Sequence, residues 1–160
     1  MKKTWILVAD EAIARILERP EAGRELDNVE ELTDPLAHAR TADLRRDAEG
    51  RRAGSATHSA RPNTPHRLRS GASATASAGE DEQHLEAQQF AKRVAEHLGD
   101  ALRQRRFDEL QVVAAPRFLG FLRKAFAPDV AALVTREVDK DYVHFGNQDI
   151  TARLFPADPS

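Results

Sequence analysis

One stretch constrains the fold more than any other. From Glu82 onward, Ala87, Phe90, Ala91, Val94, Ala95, Leu98, Ala101 and Leu102 recur every three or four residues. That spacing lays a single apolar stripe along a helix of about six turns. Ser77 and Glu80 stand at capping-box spacing ahead of it, and Glu80, Asp81 and Glu82 complement the positive end of the helix dipole. "FDELQVVAAP" follows, and its run from Leu110 to Ala114 is apolar except for Gln111. A one-faced helix that delivers into a short strand buried on both sides is the makings of a βα unit in a parallel sheet. The chain is therefore expected to be an α/β protein.

The flanking segments extend that pattern. "FLGFLRKAF" reads as a helix with Phe118, Leu119, Leu122 and Phe126 towards the sheet, and Gly120 reads as the point of close helix-to-sheet contact. "VAALVTREVDKDY" supplies a further apolar run, read as a strand although its alanines also suit a helix, and "NQDITARLF" a short closing helix. Leu26 to Leu32 supplies a short strand after the turn punctuated by Pro20 and Gly23. The opening "TWILVADEAIARILER" is ambiguous by itself. Ile6, Ala9, Ile13, Ile16 and Leu17 suit a helix, whereas Trp5 to Val8 is β-prone and Asp10-Glu11 suits a hairpin turn.

With 160 residues, the chain has room for one ordinary domain, expected over residues 1–155 with a disordered tail at 156–160. There is no cysteine, which excludes disulfides, thiolate metal sites and a cysteine nucleophile. The apolar stretch Trp5 to Ala9 stops at Asp10 and Glu11, too short for a signal-peptide core or a membrane span. A cytoplasmic protein without membrane insertion is expected.

The formal charge of −2 hides a strong segregation. Gly50 to Gly79 contains no acidic residue but carries Arg51, Arg52, Arg61, Arg67 and Arg69 amid Ser, Ala, Thr, Pro and Gly. With Leu68 as its one large aliphatic side chain, this segment buries too little surface to offset its ordering entropy. It is expected to be a mobile basic loop at about 50–79. Interleaved arginines of this kind can follow a phosphate backbone, and the lack of aromatic residues argues against reading of bases.

Other constellations carry less chemistry. A phosphate-binding turn at the junction of Pro116 and Arg117 would need several glycines for close backbone approach, and only Gly120 is present. The junction reads instead as a device for seating a helix, with Arg117 as an anion contact. Asp10, Glu11, Asp139 and Asp141 lie near strand ends, where carboxylates hold magnesium or exchange protons, but without a fixed ligand spacing they read better as solvated turn residues. His38, His58, His66, His84, His97 and His144 fall into no metalloprotease pairing, and no G-x-S-x-G elbow is present. Neither a catalytic residue, a resident metal nor a cofactor is expected.

Four stretches together, "WILVADEAIARIL", "EAQQFAKRVAEHL", "FDELQVVAAPRFLGFLR" and "REVDKDY", resemble the bacterial host attachment protein family. That family is similar in turn to the central domain of archaeal and eukaryotic peptide-chain release factors and of Pelota, with its RNase H-like relatives. The resemblance implies a β-hairpin at Trp5–Ala9 and Ala12–Glu18. It also implies a single mixed sheet with helices packed on it, of three antiparallel N-terminal strands and two later parallel strands. In such release factors, the segment before the long helix carries a Gly-Gly-Gln tripeptide that enters the ribosomal peptidyl-transferase centre. Here "RSGAS" at Arg69 to Ser73 lacks the amide, so hydrolysis of peptidyl-tRNA by that route is not implied. The expected partners are tRNA or the ribosome, met through the five loop arginines. The alternatives are another protein, with an indirect role in attachment, and a metal-dependent phosphoester substrate.

Overall fold

The computed structural model describes residues 2–21, 24–37 and 64–156, with backbone alone over 64–78 and at 80. These residues form two compact units, one of Met1–Asp34 with Ala87–Ser160 and one of Pro35–Glu86.

The first unit is built on one mixed sheet of five strands: β1 (Thr4–Ala9), β2 (Ile13–Glu18), β3 (Asp27–Thr33), β4 (Glu109–Ala114) and β5 (Val134–Val138). Their order is β3-β2-β1-β4-β5, with β1–β2 and β2–β3 antiparallel and β1–β4 and β4–β5 parallel. Every residue of β1 is buried, because it lies at the centre of the sheet with helices on both sides. That is why its sequence is continuously apolar rather than alternating, and why helical spacing is misleading there. The hairpin after it is held by Asp10, whose N–H donates to the Ile13 carbonyl at 2.9 Å. Its Oδ1 accepts from the Ala12 N–H at 2.8 Å and the Ile13 N–H at 2.9 Å. A short carboxylate that satisfies the turn amides explains why the chain reverses here instead of coiling on as a helix.

The helices whose backbone is described in full are α1 (Thr64–Arg103), α2 (Pro116–Ala125), α3 (Pro128–Ala132) and α4 (Asn147–Leu154). The α1 stripe is buried as its spacing requires, from Ala87 through Phe90, Ala91, Val94, Ala95 and Leu98 to Ala101, while Leu102 is half-buried. Its core partners include Leu7, Ile16, Val112, Phe118 and Leu122. The opposite face of the sheet presents Ile6, Val8, Leu17 and Val113 to Ile150 and Leu154 of α4. In the second unit, residues 35–37 are helical and the α1 backbone runs through 64–86.

Several expectations need correction. α1 starts at Thr64, well before the capping box at Ser77 and Glu80, which is thus interior to the helix. Pro65 suits a first helical turn, alanines follow at close intervals, and no proline recurs until Pro116. Residues 64–79 of the expected basic loop are thus helical backbone, while 50–63 and the tail at 157–160 lie outside the described residues. The run after Pro128 divides into α3 and then β5 rather than forming one strand. Phe126 is half-buried beyond the α2 C-terminus, while Phe118, Leu119 and Leu122 are fully covered. Gly120 is not a close-contact position, since a Cβ placed there would meet nothing within 4 Å.

The end of α1 has a cap of its own. The Arg106 N–H donates to Ala101 O at 3.0 Å and the Arg105 N–H to Leu102 O at 2.9 Å, with Arg105 at φ 54°. This is a Schellman closure with arginine where glycine is usual.

Candidate functional site

Parallel strands β1, β4 and β5 end on the same edge of the sheet, where an open α/β fold leaves a crevice. Asp10 follows β1, Arg117 sits in the first turn of α2 after β4, and Asp139 to His144 follow β5. Of the four carboxylates considered from sequence, this edge brings two together. Ligand atoms of Asp10, Asp141 and His144 all lie within 4.8 Å of one another. Two oxygens and one imidazole nitrogen at that spacing suit a divalent cation that accepts mixed oxygen and nitrogen ligands. Asp139 stays outside the group, and Glu11 is engaged by Arg117.

Arg117 reaches back from the Pro116 junction to the β1–β2 turn. Arg117 Nη2 lies 2.7 Å from Glu11 Oε1 and its Nε donates to the same oxygen at 2.9 Å. That carboxylate of the β1–β2 turn meets the charge of Arg117 and ties the turn to α2.

Arg15, on β2, holds the loop that presents Asp141 and His144. Its Nη1 donates to the carbonyls of Val143 at 2.9 Å and Phe145 at 2.7 Å, on either side of His144. Its Nη2 donates to Asn147 Oδ1 at 2.5 Å. Asn147 in turn donates through Nδ2 to Leu26 O and Asn28 Oδ1, both at 3.0 Å. Beside this clamp lies an open cleft of about 560 Å³ bordered by Arg15, Asn28, Glu31 and His144. Nothing in the spacing of Arg15 announced this role, because the clamp joins β2 to a loop more than a hundred residues later. The approach of His144 to Asp10 had one faint signal, its position three residues after Asp141 in the segment following a strand.

Two titratable groups away from this edge are displaced from their ordinary range. The Glu109 carboxyl is held below its usual 4.5, chiefly by a hydrogen bond from the Thr135 hydroxyl; partial burial opposes the shift, and Thr4 and Lys2 add to it. The Arg123 guanidinium is raised further by its hydrogen bonds to Glu137. Among the other histidines, His97 Nε2 lies 2.7 Å from Glu30 Oε2. His38 and His58 lie outside the described residues, as does the His66 side chain.

Arg51, Arg52 and Arg61 lie outside the described residues, and Arg67 and Arg69 fall on the α1 backbone with side chains not described. Among the described residues, no helix is long and apolar enough to cross a membrane.

Residues 5–154 match a family model described as "Protein required for attachment to host cells". No curated protein matches the chain.

Proposed function

The chain belongs to the family of proteins required for attachment to host cells, and from that premise we propose that it is a non-enzymatic module, working inside the cell, that contacts RNA or the ribosome. The observation that carries this reading is the acid-free segment Gly50 to Gly79 with Arg51, Arg52, Arg61, Arg67 and Arg69. Five guanidinium groups in a thirty-residue stretch that holds no carboxylate favour a polyanion, and counterion release drives such binding at low salt. The resemblance to release-factor central domains adds support, since their segment in the same place in the chain order reaches RNA. Attachment to a host is then an indirect consequence of an internal role.

Co-sedimentation with ribosomes and titration of tRNA across a salt series test the reading. Binding that weakens steeply as salt rises is expected, and replacement of the five arginines by alanine abolishes it. No salt-sensitive binding at low ionic strength would end the proposal.

The Asp10, Asp141 and His144 group favours a second reading, metal-dependent hydrolysis of a phosphoester in the adjoining cleft. Turnover of simple phosphoesters with manganese or magnesium, lost in Asp141→Ala and His144→Ala, would support it. Equal rates in parent and variants would remove it.

A further inference from the structure

Two groups of arginines of the sheet unit differ in how their charge is met. Arg93, Arg103, Arg106, Arg117 and Arg123 are each paired with a carboxylate. Arg19, Arg136 and Arg153 have no carboxylate within ion-pair distance among the described residues. These three lie over half-buried rings that flank α4, whereas the rings under Arg93 and Arg106, Phe90 and Trp5, are buried. The Arg153 guanidinium is 4.3 Å from the ring centre of Phe145 and 5.5 Å from that of Tyr142. Arg19 lies 4.0 Å and Arg136 6.0 Å from the ring centre of Phe155. All three arginines are exposed, and Tyr142, Phe145 and Phe155 are half-buried.

A guanidinium laid over a ring keeps its charge while its donor edge faces outward. Arg136 directs one donor, Nη1, to Leu154 O at 2.7 Å, which leaves its other N–H groups available. Half-exposed rings interleaved with uncompensated guanidinium groups match the two demands of a single strand of nucleic acid, planar stacking for bases and cations for phosphates. An acidic peptide would need the charges but not the planes. Among the described residues, Asp149, one turn before Arg153, does not form an ion pair with it.

We propose that Tyr142, Phe145, Arg153 and Phe155, with Arg19 and Arg136, form a contact surface for single-stranded RNA. The proposal rests on the RNA reading above, but it assigns a separate surface on separate observations.

The test is fluorescence anisotropy with a labelled single-stranded RNA 12-mer and the full chain, across a salt series. Arg19→Ala/Arg153→Ala removes two exposed cations that have no side-chain polar partner among the described residues, and its thermal unfolding is compared with the parent's. A loss of at least about fivefold in affinity is expected at low salt. The slope of log affinity against log salt should fall by about 1 to 2, as two phosphate contacts to a single strand require. Arg19→Lys/Arg153→Lys keeps the charges, so it should retain the slope yet bind more weakly for want of stacking. If the alanine pair binds like the parent while alanine at the five segment arginines weakens binding, this surface is overturned and the RNA reading stands. If the parent does not bind the RNA at all, both fall. Competition by polyglutamate as effective as by unlabelled RNA would also overturn it, because charge alone would then explain the surface.

Discussion

Gly120→Ala is the sharpest check on the junction between β4 and α2. Gly120 lies in the middle of α2 (Pro116–Ala125), is half-buried, and would present a Cβ to open space. A glycine inside a helix is about 1 kcal/mol less favourable than alanine, because the unfolded chain has more freedom to lose. With no steric term to set against that gain, the substitution should stabilise the fold by about 0.5 to 1 kcal/mol. Trp5 is the sole tryptophan. It is 2% exposed and stacks on Phe107 at 4.9 Å, so its fluorescence reports loss of the core directly. In urea, a denaturant slope of about 2 kcal/mol/M converts the gain into a midpoint higher by about 0.25 to 0.5 M with the slope unchanged. A lower midpoint would refute the reasoning. It would mean that the backbone at 120 approaches a neighbour too closely for a methyl group, as the sequence spacing alone suggested.

Arg105→Gly should also stabilise, by about 0.5 to 1 kcal/mol in thermal unfolding, because Arg105 adopts φ 54° at the end of α1, where glycine has no Cβ to strain. Asp34 is 2% exposed and its Oδ1 accepts from Arg93 Nη2 at 3.0 Å, so Asp34→Ala should lower stability by about 1 to 3 kcal/mol in urea titration. The depressed Glu109 carboxyl binds its proton more weakly when folded than when unfolded. Its contribution is therefore present above the ordinary value of 4.5 and disappears as pH falls through the lower folded value. Glu109→Gln should flatten the loss of stability in that acid window, measured as unfolding midpoint against pH, and an unchanged slope would contradict the assignment. Asp10→Asn should keep the β1–β2 turn through its remaining amide oxygen, whereas Asp10→Ala, which loses the acceptor for two backbone N–H groups, should cost about 1 to 2 kcal/mol.

Much of the fold was legible because it follows from local spacing. The stripe from Ala87 to Leu102 could only be a one-faced helix, and Leu110 to Ala114 could only be an inner strand once a helix preceded it. The start of α1 was missed because small polar and alanine-rich sequence satisfies both a loop and a helix, and nothing between Thr64 and Ser77 separates them by pattern. The opening strands were ambiguous for a related reason: a central strand buried on both faces has no period of 2 to display. At the candidate site, the carboxylates at turns were visible as residue types, but their grouping was not.

The sequence by itself determined an α/β chain, a βα junction without the glycines of a phosphate loop, and an acid-free block of five arginines. Those are statements about neighbours in the chain, where spacing and composition act directly. The tertiary structure alone decided that Arg117 is met by Glu11, that Asp10 joins Asp141 and His144, and which arginines remain uncompensated over aromatic rings. Each of those depends on the strand order β3-β2-β1-β4-β5, which sets strands far apart in sequence side by side in one sheet. Ion pairing falls off within a few ångströms, so whether a charge is free is settled by approach in space and not by distance along the sequence.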